Sequence, residues 1–163
     1  MFFTHEFAAP LERFGVGKSR KVWYRVVFLP AHLEADLPFD QYPRLRVDAE
    51  LEDVPVNGAW MPTGDGRRYL IVGPAVIKAT DLRLGDPVSV RFKIADQDYV
   101  DVPPKLLAAL EGDSRLTALW DELTPGKKRA LSHHVASAKT EPTQDRRVEQ
   151  VLVALENNQG RLR

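Results

Sequence analysis

The sequence of 163 residues contains no cysteine, and this absence excludes several classes of protein at once. Disulfide scaffolds, zinc–thiolate sites, iron–sulfur clusters and thiol nucleophiles all require cysteine side chains. The chain also has no excess of charge, because 23 Lys and Arg residues balance 23 Asp and Glu residues. This balance removes the general electrostatic argument for a protein that binds nucleic acid or another polyanion.

Long hydrophobic runs are missing as well, since none approaches the ~18 residues of a membrane span. Residues 1–7 (MFFTHEF) lack a basic region followed by a long apolar region, so we expect no signal peptide. We therefore predict a cytoplasmic protein without membrane insertion. The hydrophobic fraction of 44% is close to the globular average and is sufficient for a buried core.

The spacing of the apolar residues predicts two modules. Over residues 1–95 apolar and polar residues alternate, most clearly in 45–51 (LRVDAEL) and 88–94 (VSVRFKI), as in strands with one buried face. Further strands are predicted at 2–9, 20–28, 54–61 and 67–72. These segments predict a small closed six-stranded, mainly antiparallel β-barrel, because closure removes exposed strand edges.

Glycines predict the turns of this first module. Asn57-Gly58 and Gly64-Asp65-Gly66 supply residues that tolerate positive φ, and Gly85-Asp86-Pro87 precedes the last strand. One short helix is predicted after Pro30, because Leu33 and Leu37 lie one helical turn apart.

Residues 99–160 have the helical spacing of apolar residues and predict a module of about four short helices. Asp113 or Ser114 is expected to cap the second helix, Thr124 the third and Thr143 the fourth. The predicted class is therefore α+β, a barrel followed by a helical module. No flexible linker divides the two parts.

The strongest polar cluster lies at the break between the third and fourth helices: Lys139, Thr143, Arg146 and Arg147. A basic group near the end of one helix and the open N-terminus of the next can form a small anion pocket. The alternative is that each residue has a local role, with Lys139 satisfying helix carbonyls and Thr143 capping. The arginines would then pair with Glu141 and Glu149.

A second anion-binding candidate is the glycine turn followed by Arg67 and Arg68, where two guanidinium groups follow backbone amides. The alternative is a plain hairpin with exposed arginines, since the turn itself already explains the glycines.

Other motifs in the sequence lack the spacing or the flanking structure that their function requires. Gly15-Val16-Gly17-Lys18-Ser19 ends like a P-loop, but a strand follows it and the first glycine of the pattern is replaced by Glu12. Adjacent His133 and His134 point ~100° apart on a helix and cannot easily share a metal. The acidic residues between 96 and 101 lack the register of a calcium loop. No catalytic set, metal site or cofactor is indicated.

Three segments in the second half resemble the bacterial YdeI/OmpD-associated family: 102–110 (VPPKLLAAL), 123–125 (LTP) and 138–148 (AKTEPTQDRRV). The first half resembles a bacterial domain of unknown function that often precedes this module. That similarity rests on Leu29-Pro30, on residues 56–58 and 64–66, and on 84–88 (LGDPV). The resemblance implies a closed six-stranded barrel followed by a small helical module.

The family name links some of its members to an outer-membrane porin and to protection against bacteriocins or cationic peptides. Gln144 departs from the family pattern, which usually has arginine at this position, and this removes one cation from the anion pocket. We predict a non-catalytic binding or interaction protein that serves in envelope stress or in bacteriocin and cationic-peptide resistance. Its partner would be a small anion or a protein, and the oligomeric state is left open.

Two alternatives remain open. The first is an enzyme with a site in the cleft between barrel and helices, where Trp23, Tyr24, Trp60 and Tyr69 are available as lining residues. The second, least favoured, is weak nucleic-acid binding by Lys127–Arg129, which would fall steeply with salt.

Overall fold

The computed structural model describes residues 2–158 and 160–162. The chain forms two compact units, Met1–Gln97 and Asp98–Arg163. Among the described residues, no helix has both the length and the apolar composition needed to cross a membrane. The protein is α+β, with a curled antiparallel sheet of seven strands and six helices.

The first unit contains all seven strands and two short helices. The strands are β1 (His5–Pro10), β2 (Glu12–Val16), β3 (Val22–Phe28), β4 (Leu45–Leu51), β5 (Val54–Pro62), β6 (Arg68–Ile71) and β7 (Pro87–Ile94). The helices are α1 (Ala31–Glu34) and α2 (Pro74–Thr80). Every strand pair is antiparallel, and the spatial order is β1-β7-β4-β5-β6-β3-β2.

The predicted closed barrel of six strands is wrong: the sheet is an open half-barrel with β1 and β2 at its edges. β1 corresponds to the predicted strand 2–9 and ends at Pro10, which has no N–H for a ladder hydrogen bond, whereas β2 was not predicted. After Leu11, the only residue between β1 and β2, the chain pairs with β3 instead of β7. Leu11 is buried, and its N–H donates to the Asp86 carbonyl at 2.8 Å.

The core of the first unit follows the alternation of the sequence. In β4 the four apolar residues at positions 45, 47, 49 and 51 are buried, and the polar residues between them are partly exposed. Trp60 and Phe92 are fully buried and meet edge to face, with ring centroids 5.5 Å apart. The one helix predicted after Pro30 is α1, whereas α2 was not predicted even though Pro74 stands at its first position.

The turn predicted at Asn57-Gly58 is wrong, because both residues lie inside β5. A Cβ atom on Gly58 would come within 2.8 Å of Leu70 Cδ1, so the Leu70 side chain would have to move to admit any other residue here. The β4–β5 turn is formed instead by Glu52 and Asp53, whose φ angles are 49° and 64°. The other predicted glycine turns are correct, since Gly64, Gly66 and Gly85 all have positive φ.

The second unit contains four helices: α3 (Pro104–Glu111), α4 (Ser114–Asp121), α5 (Pro125–Ala136) and α6 (Glu141–Asn158). Their apolar faces form one cluster with Leu106, Trp120, Val135 and Val151 at its centre. The carboxylate of Asp113 accepts hydrogen bonds from the first turn of α4, and Thr124 Oγ1 accepts one from Lys127 N. Both caps match the sequence prediction.

Candidate functional site

The predicted anion cluster is formed by Lys139 in the α5–α6 junction (residues 137–140) and by three residues of the first turns of α6, of which Arg147 is engaged in internal hydrogen bonds. Its Nη1 donates to the His134 carbonyl at 2.9 Å and to Ser137 Oγ at 3.1 Å. The last carbonyls of a helix have no partner within the helix, so a guanidinium that reaches them stabilises the helix end. Gln144 Nε2 adds a second donor, 3.3 Å from the Ala138 carbonyl.

Thr143 does not cap α6, contrary to the sequence prediction. The helix begins at Glu141, and Thr140 Oγ1 accepts from Thr143 N at 3.4 Å. The Thr140 hydroxyl in turn lies 2.9 Å from Thr143 Oγ1. Thr140 therefore occupies the N-cap, and Pro142 is accommodated in the first turn, where its missing N–H has no consequence.

Lys139 and Arg146 are the remaining members of the cluster, and both are exposed. Within the described part of the chain, neither forms a hydrogen bond or an ion pair. Arg146 immediately precedes Arg147 in α6, so the two side chains point ~100° apart around the helix axis. The fold therefore separates the two adjacent arginines, and anion binding by all four residues together stays a prediction.

Arg146 lines a groove on the outer side of α6, which we call the α6 groove. Its volume is about 270 Å³, and its lining is Arg146, Glu149, Gln150, Val153, Ala154, Arg161 and Leu162. Val153 is 47% exposed and Leu162 is 40% exposed, so the groove presents apolar surface to solvent. Arg161, Val153 and Leu162 had no role in the sequence prediction, because only the fold brings the end of the chain to α6.

In the hairpin between β5 and β6, Arg67 is paired within its own turn. Its Nη2 lies 3.0 Å from Asp65 Oδ2, and its guanidinium carbon lies over the Phe28 ring, 4.4 Å from the ring centroid. The hydrogen bond from Arg67, followed by that from the Thr63 hydroxyl, lowers the pKa of Asp65 well below its usual range. The same pairing raises the pKa of Arg67. Asp65 thus occupies the position where an external anion would bind.

Arg68 is also engaged inside the first unit. Its Nε lies 3.2 Å from Glu34 Oε1, and its Nη1 donates to the Pro43 carbonyl at 3.2 Å. The guanidinium also lies over the Phe39 ring, 4.3 Å from the centroid. Arg67 and Arg68 therefore do not converge on a common ligand position.

Four carboxylates, Glu6, Glu50, Glu52 and Asp53, line a hollow of about 160 Å³ in the first unit together with Arg91. Arg91 Nη2 lies 2.9 Å from Glu50 Oε1 and 3.3 Å from Asp53 Oδ1. Glu52 Oε1 accepts a hydrogen bond from Ser89 N at 2.7 Å. Across residues 2–158 and 160–162, no group of three or more metal-binding side chains is arranged to hold a metal ion.

Two other candidates from the sequence are held by local contacts. His134 Nε2 lies 2.8 Å from Gln150 Oε1, and His133 is exposed. In the basic run, Arg129 Nη1 donates to the Tyr99 carbonyl at 3.3 Å. Lys105 joins α3 to α6 through Asp145, 2.8 Å away, and this hydrogen bond raises the pKa of Lys105.

The curled antiparallel sheet and the four helices that follow it define a two-module α+β protein. The family model of a domain of unknown function, DUF1905, matches residues 7–92, and the chain belongs to this family. A second family model, described as Bacteriocin-protection, YdeI or OmpD-Associated (OmdA), matches residues 99–158. Both matches, in this order, confirm the resemblance seen in the sequence. No curated protein matches the chain.

Proposed function

We propose that this protein is a non-catalytic binding protein whose second unit holds a small organic anion with an apolar part in the α6 groove. The observation that carries the proposal is the combination of Arg146 and Arg161 with exposed Val153 and Leu162 around one concavity. Guanidinium groups bind carboxylate or phosphate through paired hydrogen bonds, and the apolar floor suits the rest of such a molecule.

The charges at the groove favour an anion. Among the described residues neither Arg146 nor Arg161 is in an ion pair, while Glu149 contributes one carboxylate. Two guanidinium groups against one carboxylate leave a positive excess at the rim. The volume of about 270 Å³ lies near the lower limit of small-molecule sites, so a compact ligand is expected.

Native mass spectrometry of the untagged protein, freshly purified from a bacterial host, tests this proposal. A mass excess that disappears on denaturation is expected for the wild type and absent for the double variant Arg146→Ala, Arg161→Ala. The control Lys127→Ala removes an exposed cation of the same unit elsewhere and should retain the ligand.

A fluorescent aromatic sulfonate provides an anionic, apolar probe that does not depend on copurification. The double variant should bind the dye about tenfold more weakly than the wild type and the control. Equal dye affinity in all three proteins, or a mass excess that the double variant retains, would show that the α6 groove is not the site.

The match to a bacteriocin-protection family supports the proposal of a role in resistance to bacteriocins or cationic peptides during envelope stress. We propose that the protein acts through its bound ligand or a partner, because Arg91 already neutralises carboxylates of the acidic hollow that a cationic peptide would need. Cytoplasmic location, an enzymatic site and weak nucleic-acid binding stay predictions.

A further inference from the structure

In the first unit, β3 pairs with β2 along one edge and with β6 along the other, but the pairing with β6 does not extend to the start of β3. The β3–β6 ladder pairs Val26 with Ile71, and the hydrogen bond from Val72 N to the Arg25 carbonyl, 2.8 Å, extends it. Continuing this register places Pro74 opposite Trp23. Proline has no N–H and here begins α2, so the chain leaves the sheet at this point.

The backbone of Trp23 is therefore exposed as a strand edge. Alternate residues of a strand direct their N–H and C=O groups to the same side, so those of Trp23 point the same way as the Arg25 carbonyl. No backbone hydrogen bond from the described residues reaches Trp23 on this side. An incoming extended chain can supply the missing donor and acceptor.

A groove runs along this edge, and we call it the β3 groove. It has a volume of about 360 Å³ and includes Trp23, Arg25, Ile71, Pro74, Ile77 and Lys78. Trp23 is 50% exposed and Ile71 is 37% exposed, so apolar side chains of a bound strand have surface to cover. Arg25 and Lys78 place two cations along the same groove.

The β2–β3 hairpin that carries Trp23 has charges of one sign from residue 13 to residue 25. Residues 13–25 contain five cations, Arg13, Lys18, Arg20, Lys21 and Arg25, and no carboxylate. In the part of the chain that the structure describes, none of the five is in an ion pair. This local excess is hidden in a chain whose formal net charge is zero.

The contacts of Trp23 favour a peptide over a nucleic acid. The Arg13 guanidinium lies 4.2 Å from the centre of the indole ring, and Lys21 Nζ lies 5.6 Å from it. A nucleobase would have to displace a cation to stack on this ring. A strand needs no such displacement, because its hydrogen bonds go to the backbone and its side chains alternate between two faces.

We propose that the β3 groove binds an extended acidic peptide segment that adds as a strand beside Trp23, at the part of the β3 edge that β6 leaves unpaired. Trp23 and Arg25 lie two residues apart and share one face of the sheet, so carboxylates on that face of the segment would pair with Arg25, and apolar side chains on its opposite face would cover Ile71. Lys78 adds a second cation along the groove. This surface lies in the first unit and is independent of the α6 groove.

Fluorescence anisotropy with the full-length protein and a labelled peptide that alternates valine with glutamate tests the proposal. A peptide of the same sequence, N-methylated at alternate amides so that one edge cannot donate hydrogen bonds, should bind about tenfold more weakly. A third peptide with lysine in place of glutamate should bind weakly as well. These comparisons use the wild-type protein, so they do not depend on the folding of a variant.

Two protein variants locate the site. Arg25→Ala combined with Lys78→Ala should weaken the acidic peptide about tenfold, whereas Arg44→Ala, an exposed cation outside the groove, should change its affinity less than twofold. Three results would overturn the proposal: equal binding of the N-methylated peptide, undiminished binding to the double variant, or tighter binding of a single-stranded oligonucleotide than of the acidic peptide.

Discussion

Cations are concentrated in two regions of this chain, the β2–β3 hairpin in the first unit and the α5–α6 junction in the second. At the junction, Arg147 donates to the end of α5. In the hairpin, five cations have no ion pair among the described residues. The difference follows from the backbone: a helix end leaves carbonyls without partners, whereas the paired strands of a hairpin bond to each other.

The helix end engages Arg147, whereas Lys139 and Arg146 beside it have no ion pair among the described residues. A hairpin can engage its cations as well, because Arg67 and Arg68 find the acceptors Asp65 and Glu34 close by. The availability of a cation depends on the acceptors that surround it, and the number of cations in a segment does not measure it.

Among the variants that test this comparison, Arg147→Ala should lower the stability of the protein most. Loss of its hydrogen bonds to the His134 carbonyl and Ser137 Oγ should lower the free energy of unfolding by about 2 kcal/mol. Urea unfolding followed by circular dichroism measures the change. Arg146→Ala is the matched control and should stay within about 0.5 kcal/mol of the wild type. Equal losses for both variants would mean that Arg147 has no special role at the helix end.

A smaller effect is expected from Thr140→Ala, which removes the side-chain cap of α6. The loss should be about 1 kcal/mol, because the N–H of Thr143 loses its acceptor. The control Thr143→Ser keeps a hydroxyl at the partner position. Its loss of unfolding free energy in the same urea experiment should therefore be smaller. If Thr143→Ala proves more costly than Thr140→Ala, the cap belongs to Thr143, as the sequence alone suggested.

The smallest effect on stability is expected from Arg67→Ala, because the Asp65–Arg67 pair is exposed. The variant should raise the pKa of Asp65 towards its ordinary value of 3.8, with part of the lowering retained through Thr63. Because the pKa is lowered in the folded state, the pair stabilises the fold above pH 3.8, and this contribution is lost as pH falls through the lowered pKa. An NMR titration of the Asp65 carboxyl measures the shift, and an unchanged pKa would contradict the pairing.

Strands with one buried face and the four helices of the second unit were predictable, because their periodicity is written in consecutive residues. The positions of Asn57-Gly58 and Glu52-Asp53 were not predictable in this way. Gly58 packs against Leu70, a contact set by the pairing of β5 with the rest of the sheet, and the turn falls on two acidic residues with positive φ. The pairing register of β5 therefore outweighed the local preference of Asn57-Gly58 for a turn.

The opening of the sheet and the contacts of the candidate site residues were likewise not predictable from the sequence. Sequence spacing placed Lys139, Thr143, Arg146 and Arg147 close together, but it could not show that the His134 carbonyl competes for Arg147. Strand β2 was missed because Gly15 and Gly17 resemble a loop, although Gly15 pairs with Trp23 within the sheet. The run of cations from residue 13 to residue 25 was readable in the sequence, and it marks the β2–β3 hairpin, whose cations form no ion pair with the described residues.

The pairing of β1 with β7 joins the first strand of the sheet to its last, with His5 opposite Phe92. A ribosome that adds ~5–20 residues per second delivers the partner of β1 on the order of ten seconds after β1 itself. The β4–β5 hairpin, closed by a two-residue turn, can form long before that moment. Completion of the first unit is thus timed by synthesis of its final strand, and until then β1 lacks its partner in the ladder.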